Sequence, residues 1–280
     1  MKQIHFLIVL MTALSLGACN LTRDVEIDLP AYEGQPVVEC YLEPGKPFRL
    51  LLTQSYGFFD PLGLDSSFLD KTLLQGASVQ ITYDNQTISL ANQLSFEPSP
   101  LKLFNYTAPQ IVPSTPGILY QLEITLADGK RITGQTVMLP KVEIDSIPVQ
   151  FNPNEPEKAR TLMYITDDLQ ETNYYRRMLH YSSLDSFPEQ DFITNNRFST
   201  TPSIAFGSGY DLEVGDTVYN TIFHITSDYY DFLESVNLAI SASFNPFGQP
   251  SPIKSNVTGD ANPLGIFTCL VYDRDRRVIE

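Results

Sequence analysis

The sequence predicts a mainly β protein: an N-terminal immunoglobulin-like β-sandwich followed by a second β-rich domain that carries one amphipathic helix. Three observations predict it. Short runs of alternating apolar and polar residues recur from Gln35 to Pro140. Turn pairs such as Pro44-Gly45 and Asp128-Gly129 punctuate them. One stretch alone, about residues 227–241, changes to the helical period.

Val37 to Leu42 is rich in β-formers and leads into Glu43-Pro44-Gly45-Lys46, with Pro and Gly at the central positions of a type II turn. Phe48 to Thr53 is then the hairpin partner. Ala77, Val79, Ile81 and Tyr83 alternate with polar residues as in a half-buried strand, and Asp84-Asn85-Gln86 turns it into Thr87–Leu90. Tyr120, Leu122, Ile124 and Leu126 form the clearest apolar face, and Asp128-Gly129 turns that strand into Arg131–Val137. About six strands thus fill the first domain, residues 35–140. Pro140 to Pro148 reads as a seam. In the second domain, residues 141–280, the expected strands are Arg160–Thr166, Tyr174–Tyr181, Thr217–Ile225 and Leu264–Tyr272. Phe151–Glu157 and Ser182–Thr201 read as loops. The helix takes Ser227 as N-cap, with Asp228 and Asp231 near its positive end. Tyr229, Phe232, Leu233, Val236 and Ile240 form one stripe, expected to face the core, and Pro246 stops the helix.

Residues 1–18 have the layout of a secretory signal: Lys2, a mostly apolar run from Ile4 to Leu16, then small residues. The run is too short for a permanent membrane span. Leu16-Gly17-Ala18-Cys19 resembles the lipobox of bacterial lipoproteins, which implies cleavage after Ala18 and lipid on the Cys19 thiol. An ordinary secretory signal with a chance cysteine is the alternative. Each buried CH₂ of an anchor contributes about 0.8 kcal/mol, so two or three acyl chains hold a protein on a membrane durably. Residues 19–34 would be the lipidated tether, and Asp24, Glu26 and Asp28 resemble the acidic surface-export signals of Bacteroidota lipoproteins. The expectation is a lipid-anchored protein of the outer membrane, displayed on the cell surface.

Charge and composition exclude several classes. With 33 Asp+Glu against 18 Lys+Arg, the net charge is −15, and such a chain repels the phosphates of nucleic acid. Three His and three Cys without a C-x-x-C pair leave no zinc cluster. There is no G-x-S-x-G elbow, and His180 and His224 fall inside expected strands, so a nucleophile–base pair is not indicated. Asp65 and Asp70, Asp167 and Asp168, and Asp273 and Asp275 lack calcium-loop spacing and read as surface acids, with a structural Ca²⁺ as the alternative, so no metal and no cofactor are assigned. Cys40 and Cys269 lie in apolar strands and read as buried free thiols, with a disulfide between them as the alternative outside the cytoplasm. Tyr56, Phe58 and Phe59 fall in an expected loop, where they either pack beneath it or form a contact patch for a ligand or partner. Asp145-Ser146-Ile147 and Asp216-Thr217-Val218 resemble Bacteroidota O-glycosylation sequons, with Ser146 and Thr217 as acceptors.

Several segments taken in order resemble one family. They are Glu26-Ile27-Asp28-Leu29-Pro30, Val37 to Gly45, Met138-Leu139-Pro140 with Ile144-Asp145-Ser146, and Asn173-Tyr174-Tyr175-Arg176. Asn245-Pro246-Phe247, Ser255-Asn256-Val257 and Gly265-Ile266-Phe267 complete the set, while Cys40 stands where a small residue such as Gly is expected. The layout resembles the Bacteroidota outer-membrane lipoproteins catalogued as domain of unknown function 4249. That resemblance implies an accessory to a TonB-dependent nutrient transporter and no catalytic residues. The resulting expectation is a non-catalytic partner or ligand-capture subunit. A structural or adhesive surface lipoprotein is the alternative, and a carbohydrate-active enzyme is a distant third. The absence of Trp weakens glycan binding.

Overall fold

In the computed structural model the described residues are 32–57, 68–98, 101–243 and 251–280. Gly34–Glu280 gather into one compact unit; Met1–Glu33 are another, of which Tyr32 and Glu33 are described. The strands are β1 (Pro36–Leu42), β2 (Pro47–Gln54), β3 (Ser78–Tyr83), β4 (Gln86–Pro98), β5 (Leu101–Ile111), β6 (Leu119–Thr125), β7 (Arg131–Val137), β8 (Ile144–Ser146) and β9 (Val149–Phe151). They continue with β10 (Lys158–Thr166), β11 (Tyr174–Tyr181), β12 (Gln190–Asn195), β13 (Ser203–Gly207), β14 (Leu212–Glu213), β15 (Thr217–Ile225), β16 (Val257–Gly259), β17 (Leu264–Cys269) and β18 (Val271–Val278). Two helices accompany them, α1 (Phe68–Thr72) and α2 (Ser227–Ser243).

Nine strands form one continuous sheet in the order β16-β7-β6-β3-β4-β5-β2-β1-β17. It doubles over at β4, whose first residues pair with β3 and whose later residues, from Ala91 on, pair with β5 across a register shift between Asn92 and Ser95. Asn92 holds the bend: its side chain donates to the Asn105 carbonyl at 3.0 Å and accepts from the Gly76 amide at 3.1 Å. At the other end, Asn256 donates to the Phe267 carbonyl at 2.7 Å and accepts from its amide at 2.9 Å, stitching the approach to β16 onto β17. The two layers enclose an apolar core that includes Val38, Phe48, Ile81, Tyr120 and Phe267. Fully buried Asn105 bonds both the amide and the carbonyl of Leu52, at 2.8 and 2.9 Å, so no strand polar group is orphaned there. The turn after β1 forms as expected: Gly45 has φ +80° and the Lys46 amide donates to the Glu43 carbonyl at 3.1 Å.

The first sandwich does not end at residue 140. β1 pairs in parallel with β17, and Val257, Phe267, Cys269 and Val271 belong to its core. Gly265 makes the parallel pairing possible. Its φ is +119°, and a Cβ there would stand 1.9 Å from the Val38 carbonyl oxygen.

The second sandwich packs the sheet β12-β11-β15-β18 against a sheet centred on β10, which pairs with β8 and β9 on one side and with β13 and β14 on the other. β11 and β15 match their expected bounds residue for residue. The stretch Leu264–Tyr272, expected as one strand, is two: β17 lies in the first sandwich, β18 in the second, and Leu270 alone separates them. The stretch Ser182–Thr201, expected as a loop, contains edge strand β12.

The cap of helix α2 lies one residue before the expected Ser227: the Tyr229 amide donates to Thr226 Oγ1 at 3.3 Å, so Thr226 is the N-cap and the helix starts at Ser227. Its stripe is only partly core. Tyr229 is buried, Phe232, Leu233 and Val236 are half-buried, and Ile240 is exposed, because the helix covers the sheet with its first turns. There it meets Tyr41 and Ile266 from the first sandwich and Phe223 and Ile225 from β15, so this cluster belongs to both lobes.

Candidate functional site

The outer face of the four-stranded sheet forms the floor of a cleft of about 610 Å³, with the first sandwich as its wall. Cross-strand register orders the floor. Arg176, Phe223 and Tyr272 share one row, Met178, Thr221 and Arg274 the next, and His180 and Tyr219 a third. The wall presents Tyr41, Glu43, Lys46 and Leu270, together with Glu97 and Lys102 from the β4–β5 hairpin. Tyr229 of α2 and the segment Ser182 to Asp185 also line it. The volume lies in the range of about 300–1,000 Å³ typical of small-molecule sites, and the mixture of aromatic, apolar and a few charged groups is characteristic of them.

The cleft departs from the chain's overall charge. Its lining holds the bases Lys46, Lys102, Arg176 and Arg274 against the acids Glu43, Glu97 and Asp185. Two bases are committed locally. Arg176 grips Asp191 with two bonds of 2.7 and 2.6 Å and donates to the Tyr229 hydroxyl at 2.8 Å. Lys46 pairs with Glu97 at 3.3 Å, and Arg49 joins the same carboxylate at 3.1 Å. Arg274 is different: its Nε donates to Thr221 Oγ1 at 2.8 Å, its guanidinium stands 4.8 Å from the Tyr272 ring centroid, and no carboxylate pairs with it among the described residues. Glu43 likewise has no cationic partner there and accepts only from the Tyr272 hydroxyl, at 2.9 Å. Burial, and then the Glu43 charge, raise the Tyr272 hydroxyl above the usual tyrosine value, keeping it the donor. His180 is 5% exposed, with Nδ1 buried and unpartnered among the described residues. Burial first, and Arg274 second, lower it below the ordinary imidazole value, so the ring is neutral near pH 7.

The residues singled out in the sequence lie elsewhere. Cys19, Phe58, Phe59 and Asp65 fall outside the described residues. Tyr56 is half-buried beyond β2, with its hydroxyl buried and unbonded among the described residues. Ser146 is exposed on β8, whereas Thr217 is half-buried at the start of β15 and accepts from Arg276 at 3.4 Å. Cys40 and Cys269 are free and buried on adjoining strands. Among the described residues no three His, Cys, Asp or Glu gather as a metal set.

One acid corrects the sequence reading. Asp167, expected at the surface, is buried, and it accepts from Tyr175, from Asn173 at 2.9 Å and from Asn196 at 2.7 Å. Those three donors make its burial tolerable; two come from the next turn and strand, six and eight residues on, and the third from 29 residues away. Asp273 is also more than a surface acid: it accepts from the Ile144 amide at 2.9 Å and from Lys141 at 3.2 Å. His224 is a structural group; its Nδ1 donates to the Pro140 carbonyl at 2.8 Å across the seam, and its ring stacks on Tyr175. The cleft residues themselves escaped sequence reading. The one available signal was the outward row Arg176, Met178, His180 on β11, which a strand facing water would not fill with a Met.

No curated protein matches the chain. Among solved structures, a chain of a cytokine receptor complex is similar at 10% identity and a TM-score of 0.26, over 69% of this chain and 86% of that one, a likeness too distant to bear on fold or function. The family described as Domain of unknown function (DUF4249) matches residues 22–276, which include every strand from β1 to β17, both helices and the whole lining of the cleft, and the chain belongs to that family.

Proposed function

We propose that this protein is a non-catalytic, lipid-anchored accessory protein of the outer membrane that captures a small ligand for a TonB-dependent nutrient transporter, with the cleft between the sandwiches as the capture site. The observation that carries the reading is the cleft itself: about 610 Å³, floored by Met178, Phe223 and Tyr219, with two charged groups unpaired among the described residues. Its walls are joined with little slack, since Leu270 alone separates β17 from β18 and its amide bonds the Leu42 carbonyl at 2.9 Å. A site fixed before the ligand arrives loses little entropy on binding. The anchor is supported by Lys2, the apolar run to Leu16 and the lipobox-like Leu16-Gly17-Ala18-Cys19.

The structural or adhesive alternative has one observation in its favour. Phe187 and Phe198 are 98% and 94% exposed, on the two loops that flank edge strand β12. Such side chains beside an open strand edge suit a protein partner.

The test is copurification. Tagged protein should bring down a TonB-dependent transporter from detergent-solubilised membranes, and Cys19→Ala should leave the protein unlipidated and out of the detergent phase. Recovery of the protein with no such transporter, or normal partitioning of the Cys19 variant, would defeat the reading.

A further inference from the structure

We infer that the cleft takes a short zwitterionic peptide, its ammonium group set against Glu43 and its carboxylate against Arg274, on either side of Tyr272. The inference rests on the reading of the cleft as a ligand site and adds the class of ligand.

Three observations carry it. Glu43 and Arg274 line one cleft and are of opposite charge, yet neither has an ion-pair partner among the described residues. Tyr272 keeps them apart: its hydroxyl fixes the Glu43 carboxylate at 2.9 Å while its ring lies 4.8 Å from the Arg274 guanidinium. Both charges thus stand beside one aromatic ring, where a single short ligand can reach both. The space beside Tyr272 is apolar, with Met178, Phe223 and Leu270 placed to receive a side chain, and His180 adds a buried polar ring whose Nδ1 has no partner among the described residues.

The charge of the whole molecule favours the same ligand. A chain of net charge −15 repels a simple anion and attracts any cation without discrimination, whereas a zwitterion carries no net charge and experiences only the local pair. Lys102, across the cleft from the floor that carries Arg274 and also without an ion pair among the described residues, is a second cation in the same lining.

Four probes separate the two charges: the dipeptide Ala-Phe, its N-acetyl form, its amide, and the form blocked at both ends. Each is titrated into the full chain at pH 7 and binding is followed by saturation-transfer NMR and calorimetry. The free dipeptide should bind tightest, and blocking either end should weaken it about tenfold, the loss typical of one charge-assisted hydrogen bond. Glu43→Gln should abolish the preference for the free amine alone, and Arg274→Gln the preference for the free carboxylate alone. Glutamine at 43 still accepts from Tyr272, so an unchanged melting temperature is expected. Tyr272→Phe is a second handle, since it keeps both charges but releases Glu43, and it should weaken the amine preference. Equal binding of all four probes, unaltered by the variants, would overturn the zwitterion while leaving a ligand cleft. Binding of none would overturn the peptide, and the capture reading would then depend on the transporter copurification.

Discussion

In the first sandwich one apolar cluster runs unbroken from Val38 to Val271, whereas in the second the core is cut in two by a polar layer of Thr161, Arg177 and Asn220. The layer sits between Met163, Tyr175 and Ile222 on one side and Ala159, Leu179 and Val218 on the other. Arg177 is fully buried and faces no carboxylate; it donates to Gln190 and, at 2.9 Å, to Asn220, while its Nε stays unpaired among the described residues. Burial lowers its guanidinium to about 10. A buried charge without a counter-charge costs stability, but it penalises any strand slip that would drive it into an apolar cluster. The two lobes therefore secure register by different means. The first uses tight turns and the Asn92, Asn105 and Asn256 stitches; the second uses a costly layer. The need is greater in the second because central strand β15 is buried on both faces from Asn220 to Ile225, so inside-outside alternation is a weak guide there.

The largest effect should come from breaking the closure of the first lobe. Gly265→Ala sets a Cβ against the Val38 carbonyl at a positive φ, and should cost about 3 kcal/mol or more in urea unfolding. A loss below about 1 kcal/mol would mean that β1 and β17 part easily. The polar layer comes next. Arg177→Ala should destabilise by about 3 kcal/mol, whereas Arg177→Met, which fills the gap without a charge, should remain within about 1 kcal/mol of the parent. Equal losses from both would show that the guanidinium earns its place by bonding rather than register.

A milder contrast is set by pH. Burial lowers both His180 and His224, which lie in the second lobe, so the unfolded chain binds more protons than the folded one below the ordinary value of 6.5. Stability is full above that value and falls as pH drops through it, and His180→Gln should flatten the fall seen by calorimetry. The smallest effect is chemical. Burial pushes the Cys269 thiol up to about 12 and Cys40 higher still, both in the first lobe, so iodoacetamide at pH 8 should label neither in the folded chain. Labelling of Cys40 or Cys269 at mild acid pH by a dipyridyl disulfide, which reacts with thiols in acid, read by mass spectrometry, would place the acid-sensitive opening in the wrong lobe.

Much of the fold was legible where local chemistry and periodicity agree. β11, β15, the turn at Gly45 and the helix from Ser227 all lie where their residues indicate. β5 was not expected because Leu101–Ile111 carries Asn105 at a buried position and Pro109 near its end, which erases the alternation. β12 was hidden because an edge strand needs only one neighbour and keeps polar residues. The cleft could not be foreseen. Its walls come from residues as far apart as Glu43 and Tyr272, and only the β1–β17 pairing and the Leu270 junction bring them together.

The pairing of Val37 with Leu264 also sets an order of events during synthesis. The first strand emerges early, yet its parallel partner is made near the end of the chain, so the inner edge of β1 has nothing to bond with until almost everything else exists. Contacts that close so long a loop form slowly, and an uncovered strand edge invites association with other chains. The nascent molecule thus has a built-in waiting period, during which a chaperone that shields extended segments would decide its yield.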